Sequence, residues 1–239
     1  MSIEAVLFDL DGTLLPMDQE EFTKAYFSGL TKKLAPLGYE PEALIKAIWQ
    51  STYAMIKNDG NSTNEKVFWN AFTKIFGEKV MEDVPVFDEF YRKEFSFVKE
   101  VCGFNSKSAE IVNALKNNNI CVVLATNPIF PKIATESRIK WAGLTHSDFA
   151  LYTTYENSCY CKPNPKYYLE ICEKINVLPE NCLMVGNDVK EDMVAETIGM
   201  KTFLLTDNLI NKDNADISDF SQGDFNTLIS FLKSEKVLE

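Results

Sequence analysis

Residues 5–14 read AVLFDLDGTL, an apolar run followed at once by two aspartates. If the run is a buried β-strand, alternate side chains point the same way, and Asp9 and Asp11 leave its C-terminal end together. Parallel sheets bind their ligands at that end. Two carboxylates this close oppose each other's ionisation, and a divalent cation is the simplest reason for the pair. A polar turn built around Gly12 is the alternative, and the rest of the chain has to decide between the two.

The composition is that of an ordinary globular chain. Its 239 residues are 46% hydrophobic and 25% charged, enough for one large domain or two smaller ones. The formal charge of -11 argues against nucleic acid or an anionic membrane surface as a partner. No apolar stretch is long enough to span a bilayer, and the first residues lack the basic start of a signal peptide. We therefore expect a cytoplasmic protein whose six cysteines are free thiols.

Two hydrophobic patterns divide the chain. Residues 19–100 show helical spacing only, with helices predicted at 20–35, from 41 through 55, after Thr63, and at 85–101. Beyond residue 103, helices alternate with short apolar strands, which predicts a parallel sheet covered on both faces. The predicted strands are 3–8, 120–124, 149–153, 182–185 and 201–205, and the predicted helices are 106–117, 131–142, 165–175, 189–198 and 225–233. The fold class is therefore α/β, with a Rossmann-like core and an all-helical segment inserted after the first strand.

Polar side chains follow two of the later strands. Thr126 and Asn127 come after strand 120–124, where the free N–H groups of a helix start favour an anion. Asp188 and Asp192 come after strand 182–185, and their spacing puts both on one face of a first helical turn. Helix capping and the helix dipole explain the same residues without any ligand.

A lysine stands in a stiff loop between two other elements. Lys162 precedes Pro163 and Pro165, which restrict the backbone and remove two donors. The loop would hold this lysine at a fixed place. Taken alone, a lysine before a helix is usually a solvated charge, so its meaning depends on the other residues.

The chain resembles the haloacid dehalogenase (HAD) superfamily of phosphotransferases. Its motifs correspond, in the family's order, to residues 9–14, Thr126, Lys162-Pro163 and residues 186–192. The segment 17–100 is similar to the family's C1-type helical cap, which leaves 1–16 and 101–239 as the catalytic core. Many members have Gly-Asp where this chain has Gly186-Asn187-Asp188, so the ligand can be assigned to Asn187 or Asp188. The spacing to Asp192 favours Asp188, with Asn187 as its neighbour.

The resemblance implies a Mg²⁺-dependent phosphatase that hydrolyses a small phosphorylated metabolite through an aspartyl-phosphate. Asp9 would be the nucleophile and Asp11 the general acid and base. The metal would be held by Asp9, the backbone carbonyl of Asp11, Asp188 and waters. Because Asp11 must arrive protonated, we expect burial and neighbouring carboxylates to raise its pKa.

The remaining motif residues would bind the phosphoryl group or support those that do. Lys162 and Thr126 would stabilise the transferring phosphoryl, with Asn127 beside them. Asp192 would orient Lys162 or a water on the metal. The cap would close over the site and select the substrate. Its candidate specificity contacts are Met17, Gln19, Phe22 and Arg92, although an exposed arginine is the plainer interpretation of the last.

Two alternatives stay open at this stage. A sugar phosphomutase shares the aspartyl-phosphate but returns the phosphoryl group to the same scaffold. A binding or regulatory module would keep the fold without the chemistry, since a fold does not fix a function. Steady phosphate release separates the phosphatase from the mutase, and inertness toward phosphate esters would favour the module.

Overall fold

The computed structural model of the protein describes residues 2–238, and a six-stranded parallel sheet forms its centre. The strands are β1 (Ala5–Phe8), β2 (Cys121–Leu124), β3 (Leu151–Tyr152), β4 (Cys182–Gly186), β5 (Lys201–Leu205) and β6 (Gln222–Gly223). They lie in the order β3-β2-β1-β4-β5-β6. This is the doubly wound order of Rossmann-like sheets, in which ligands bind beyond the carboxyl ends of the strands.

The helices fall into two groups along the chain. Helices α1 to α4 lie between β1 and β2, and α5 to α8 accompany the sheet. They are α1 (Gln19–Leu34), α2 (Pro41–Ile56), α3 (Asn64–Phe76), α4 (Val84–Lys93), α5 (Ser106–Asn117), α6 (Lys132–Trp141), α7 (Pro165–Ile175) and α8 (Phe225–Ser234). None of the helices within residues 2–238 is both long and apolar enough to cross a membrane.

The central strand β1 is covered on both sides. Val6 and Phe8 belong to the apolar cluster that contains residues of α5 and α8, whereas Ala5 and Leu7 pack in the cluster that contains α7. All four side chains are fully buried, as the continuous apolar run predicts. Phe8 lies opposite Leu124 on one side and Val185 on the other, so the residues that follow these strands begin at the same level.

The helical segment leaves and rejoins the sheet domain at one place. Met17 and Cys102 form an antiparallel bridge, and the N–H of Gly103 donates to the carbonyl oxygen of Pro16 at 2.7 Å. The two crossings of the chain are therefore held side by side.

The α/β fold class is confirmed, and helices 106–117 and 165–175 and strand 201–205 have the predicted bounds. Two predicted helices are wrong in part. The helix expected at 85–101 ends at Lys93 and continues as a 3₁₀-helix at Phe95–Val101. The helix expected at 189–198 is a turn followed by a 3₁₀-helix at Met193–Ile198. The region 207–224, in which the sequence predicts no element, also provides the two-residue strand β6.

Two local causes account for the changes. Phe95 and Val98 are both fully buried, and their three-residue spacing is the repeat of a 3₁₀-helix. In the other segment, the carboxylates of Asp188 and Asp192 accept backbone N–H groups of their own turn, which competes with α-helix formation.

Candidate active site

A buried lysine joins two of the motif carboxylates at the carboxyl end of the sheet. Nζ of Lys162 donates to Oδ1 of Asp9 at 2.8 Å and to Oδ1 of Asp192 at 2.6 Å. The lysine side chain is only 1% exposed. Burial alone would lower the pKa of Lys162, but Asp192 and Asp9 raise it well above its usual value. Lys162 is therefore a cation fixed between two carboxylates, and not a solvated charge.

The loop around Lys162 fixes its position. The Lys162–Pro163 peptide is cis, and Asn164 caps α7 by accepting the N–H of Lys166 at 3.0 Å. The cap sets where α7 begins, and Pro165 is the first residue of that helix. The lysine thus enters the site from a loop that is restrained on its C-terminal side.

Asp9 lies directly after β1 and is largely buried. Burial raises the pKa of Asp9 to about 7, Lys162 opposes this shift, and Asp192 and Asp11 add to it. A carboxylate in these surroundings becomes a good nucleophile once further positive charge arrives, because such charge favours its ionised form.

Asp11 is paired with an arginine that the sequence interpretation left aside. The guanidinium of Arg138, on α6, donates from Nη1 to Oδ2 of Asp11 and lies 4.5 Å from the ring centroid of Phe130. Arg138 is fully buried. Oδ1 of Asp11 and Nε of Arg138 are buried without a hydrogen-bond partner among residues 2–238. Burial raises the pKa of Asp11, and Arg138 and Lys162 oppose that shift.

A recognisable signal for Arg138 was present in the sequence. It occupies a position on α6 between the buried residues Thr135 and Ile139, where an amphipathic helix normally carries an apolar side chain. A cation on such a face needs a buried partner, because an unpaired buried charge is costly. Sequence spacing alone does not name that partner, since Asp11 is 127 positions away.

Asn187 and Asp188 have different surroundings. Asn187 is buried, accepts a hydrogen bond from the Thr13 hydroxyl at 3.1 Å, and donates to the carbonyl oxygen of Asn208 at 2.6 Å. Gly12 has φ of 87°, and a Cβ there would collide with the Asn187 amide. Asn187 therefore ties the first motif to the fourth.

Asp188 keeps one carboxylate oxygen available. Its Oδ1 accepts the N–H groups of Lys190 and Glu191, both at 2.8 Å, which orients the carboxylate. Its own N–H donates to Oδ2 of Asp192 at 3.0 Å. Asp192 thereby links Asp188 to Lys162, and Gly186 is required beneath it because a Cβ at that position would overlap the Asp192 carboxylate.

Asn127, which follows the second motif residue Thr126, contacts the carboxylate of Glu191, a residue that sequence interpretation also missed. Nδ2 of Asn127 donates to Oε2 of Glu191 at 3.0 Å, and Oδ1 of Asn127 is buried with no partner in the described part of the chain. Burial raises the pKa of Glu191. Thr126 is buried beside them, and its carbonyl oxygen accepts the hydroxyls of Thr153 and Tyr167. Glu191 stands between the two motif aspartates, which was its only sequence signal.

A cavity of about 330 Å³ separates these residues from helices α1 to α4. Its floor includes the side chains of Asp9, Asp11, Thr126 and Asp188. Its walls on the side of α1 to α4 are mainly aromatic, with Phe22, Tyr26, Phe27, Trp49, Phe68, Trp69, Phe87 and Tyr91. The motif residues thus lie at the bottom of a partly open cavity of a size suited to a small ligand.

The expected specificity contacts differ in position. Met17, Gln19 and Phe22 line the cavity. Arg92 is 66% exposed, lies 3.9 Å from a carboxylate oxygen of Asp88, and is not among the lining residues. The plainer interpretation of Arg92, an exposed helix arginine, is the one that fits.

The donor set fits a hard divalent cation. Lys162 donates to Oδ1 of Asp9, and the N–H groups of Lys190 and Glu191 donate to Oδ1 of Asp188. The Oδ2 atom of each aspartate accepts no hydrogen bond from residues 2–238. Proteins bind Mg²⁺ through one or two carboxylates together with water and substrate phosphate. Among the described residues, no group of three or more His, Cys, Asp or Glu side chains is arranged to hold a metal by itself. A metal here would therefore also need backbone oxygens, water or the substrate.

Comparison with known proteins identifies the family. The model of the haloacid dehalogenase-like hydrolases matches residues 3–195, and the chain therefore belongs to this family of hydrolases. Pyrophosphatase PpaX of Oceanobacillus iheyensis is 24% identical over 203 residues, which are 84% of this chain and 83% of that protein.

Two solved structures show the same fold over nearly the whole chain. A HAD phosphatase from Thermococcus onnurineus has a TM-score of 0.59 at 19% identity, covering 96% of this chain and 98% of its own. The HAD-hydrolase YfnB from Bacillus subtilis, solved with bound magnesium, has a TM-score of 0.57 at 18% identity, covering 98% and 100%. The suspected resemblance is thus confirmed, and the chain is an enzyme of the hydrolase class.

Proposed function

We propose that the protein is a Mg²⁺-dependent phosphatase of the cytoplasm, which hydrolyses a small phosphate monoester through an aspartyl-phosphate on Asp9. The carboxylate–lysine–carboxylate arrangement of Asp9, Lys162 and Asp192 at the floor of the cavity carries this proposal. Family membership and the phosphatases among the similar structures support the activity. The six cysteines are free thiols, which supports the cytoplasm as the compartment. Residues 17–100 act as the cap, and 1–16 with 101–239 form the catalytic core.

Asp9 attacks the phosphorus atom, and the ester oxygen leaves with the alcohol. The attack needs Asp9 in its ionised form, which burial opposes and Lys162 favours. Lys162 also reaches the transferring phosphoryl group from its fixed place, and the Thr126 hydroxyl donates to a phosphoryl oxygen. Asp192 keeps Lys162 oriented through the 2.6 Å hydrogen bond.

Asp9, the backbone carbonyl of Asp11 and Asp188 would hold the metal, with Asn187 fixing the loop beside them. When bound, Mg²⁺ supplies positive charge that neutralises the phosphoryl oxygens and favours the ionised form of Asp9. The free Oδ2 atoms of Asp9 and Asp188 support this assignment. The magnesium reported for the similar YfnB structure agrees with it.

Asp11 transfers the protons. Oδ2 is bound by Arg138 and Oδ1 is buried without a partner among the described residues, so the carboxyl group turns toward the cavity to transfer a proton. In that position Asp11 gives its proton to the leaving alcohol and then takes one from the attacking water. Burial supports the protonated form by raising the pKa of Asp11.

The Asp9→Asn variant tests the proposal most directly. We expect the wild-type protein to release inorganic phosphate steadily from simple phosphate esters in Mg²⁺, and EDTA to abolish the release. Asp9→Asn should lower kcat by at least about 10³-fold because the nucleophile is lost. Asp59→Asn, a change of the same kind at an exposed residue outside the cavity, is the control.

Three results would contradict the proposal in different ways. Full phosphatase activity in Asp9→Asn would exclude Asp9 as the nucleophile. Phosphoryl return to the same sugar scaffold without phosphate release would identify a phosphomutase. A wild-type protein inert toward a broad panel of esters in Mg²⁺ would identify a binding module.

A further inference from the structure

The walls of the cavity restrict which alcohol can leave, an inference that rests on the proposed phosphatase activity. We propose that the substrate is the phosphate ester of an apolar, preferably aromatic, alcohol about one ring in size that carries no negative charge.

Aromatic rings face the motif residues across the cavity. Trp69 and Phe87 pack edge to face, with ring centroids 5.4 Å apart, and Phe22 packs in the same manner on Phe130 at 6.1 Å. All four rings line the cavity. Such walls offer ring faces and edges to a planar leaving group and gain free energy when its apolar surface leaves water.

Positive charge is scarce on these walls. In the part of the chain that the structure describes, Lys212 is the one cation that lines the cavity, and it stands exposed in the loop after β5. Helices α1 to α4 contribute only a negative charge, Asp88. The buried cations beneath the floor, Lys162 and Arg138, are already paired with carboxylates. A carboxylate or second phosphate on the leaving group that lies against α1 to α4 would face aromatic rings and Asp88 without a cation from these helices, which is unfavourable.

The polar groups that the cap offers are mostly neutral. The hydroxyls of Tyr26 and Tyr91 are 2.8 Å apart, and both residues line the cavity. Burial raises the pKa of Tyr26 to about 12, so it remains un-ionised near neutral pH. These hydroxyls suit a neutral donor or acceptor on the substrate.

Size limits the alcohol further. The cavity of about 330 Å³ is at the lower end of the range of about 300–1,000 Å³ that ligand pockets span. The phosphoryl group takes part of this space. The remainder of the cavity suits an alcohol of about one ring.

A matched series of esters tests the proposal on the wild-type enzyme with Mg²⁺. Benzyl phosphate, 4-carbamoylbenzyl phosphate and 4-carboxybenzyl phosphate share one reacting centre, and the last two differ in charge at nearly equal size. We expect kcat/KM for the benzyl and carbamoyl esters to exceed that for the carboxyl ester by at least about 10-fold. Pyrophosphate and phosphoglycolate should resemble the carboxyl ester. A carboxyl ester, pyrophosphate or phosphoglycolate hydrolysed as efficiently as benzyl phosphate would overturn the proposal.

A pair of glutamine variants locates the charge effect. Gln19 is exposed and lines the cavity, whereas Gln50 is exposed on α2 and does not. Gln19→Lys should lower the kcat/KM ratio of benzyl over 4-carboxybenzyl phosphate by about 3- to 10-fold, because a cation then faces the carboxylate. Gln50→Lys makes the same chemical change away from the cavity and should leave the ratio unchanged. Equal ratios in wild type and both variants would contradict the assignment of this cavity to the leaving group.

A binding measurement separates this inference from the proposed reaction. Benzylphosphonate and 4-carboxybenzylphosphonate keep the charge difference but cannot be hydrolysed. Titration calorimetry with Mg²⁺ should give at least about 10-fold tighter binding of benzylphosphonate. If no ester is hydrolysed but this preference holds, the proposed reaction fails and the ligand class stands; tighter binding of the carboxyl analogue refutes the ligand class whatever the activity.

Discussion

Replacing Arg138 by methionine tests whether the buried pair with Asp11 stabilises the fold. The Arg138 side chain is 1% exposed and the Asp11 side chain 22%. Removing one partner of a buried ion pair costs about 3–5 kcal/mol, and partial hydration of Asp11 brings the expectation to about 3 kcal/mol. For a chain of this length, that corresponds to a fall of roughly 6–12 °C in the unfolding temperature. Methionine keeps an apolar contact to Phe130, so lost packing contributes little.

The assay is a double-mutant cycle in EDTA, measured by urea unfolding. Asp11→Asn alone should also destabilise, because it leaves the fully buried Arg138 without a charged partner. The loss of unfolding free energy in the double variant should be at least about 1.5 kcal/mol smaller than the sum of the losses in the two single variants, because neither charge is then left unpaired. Arg92→Met is the control, since Arg92 is 66% exposed and its loss should change stability by less than about 0.5 kcal/mol. Additivity of the two single variants to within about 0.5 kcal/mol would refute the reasoning.

Three further predictions concern the charges around Asp9. Lys162→Met should lower kcat by at least about 10²-fold, measured as phosphate release, because the buried carboxylates lose their shared cation; retention of wild-type kcat would remove Lys162 from the chemistry. Asp188→Asn should weaken Mg²⁺ binding by about 10-fold or more in a thermal-shift titration. Its unfolding temperature in EDTA should be unchanged, because an amide oxygen still accepts the N–H groups of Lys190 and Glu191; unaltered Mg²⁺ affinity would argue against Asp188 as a ligand. Because the folded pKa of Asp9 is raised from 3.8 to about 7, the unfolded chain releases that proton more readily, and the metal-free protein should lose stability as the pH rises between these values. Urea unfolding at about pH 5 and about pH 8 should show the loss in wild type and a smaller one in Asp9→Asn; an equal loss in both would assign it to other groups.

Periodicity predicted most of the fold because its signals are local. The helix at 106–117 and the strand at 201–205 are each indicated by the hydrophobic pattern of one short stretch of sequence. The break at Glu94 was missed because both an α-helix and a 3₁₀-helix bury Phe95 and Val98, and only tertiary packing separates them. The strand β6 has two residues, too few to produce any alternation.

Sequence interpretation found the candidate site residues that belong to a motif. It missed the residues that only tertiary packing brings to the site. The positions of Asp9, Lys162 and Asp192 followed from strand ends and known motifs, and the structure brings these three into direct contact. Arg138 lies outside the motifs, and Glu191 occupies a position of the fourth motif that the family pattern leaves unspecified. Their partners, Asp11 and Asn127, are 127 and 64 positions away, so no local window contains both members of a pair.

The hydrogen bond between Gly103 and Pro16 holds the two ends of the helical segment side by side. Because the chain departs and returns 2.7 Å apart, measured from N to O, the sheet domain needs only a short link to close on itself. The entropy cost of bringing these ends together rises only with the logarithm of the length of chain between them, so a longer helical segment would cost little more to close.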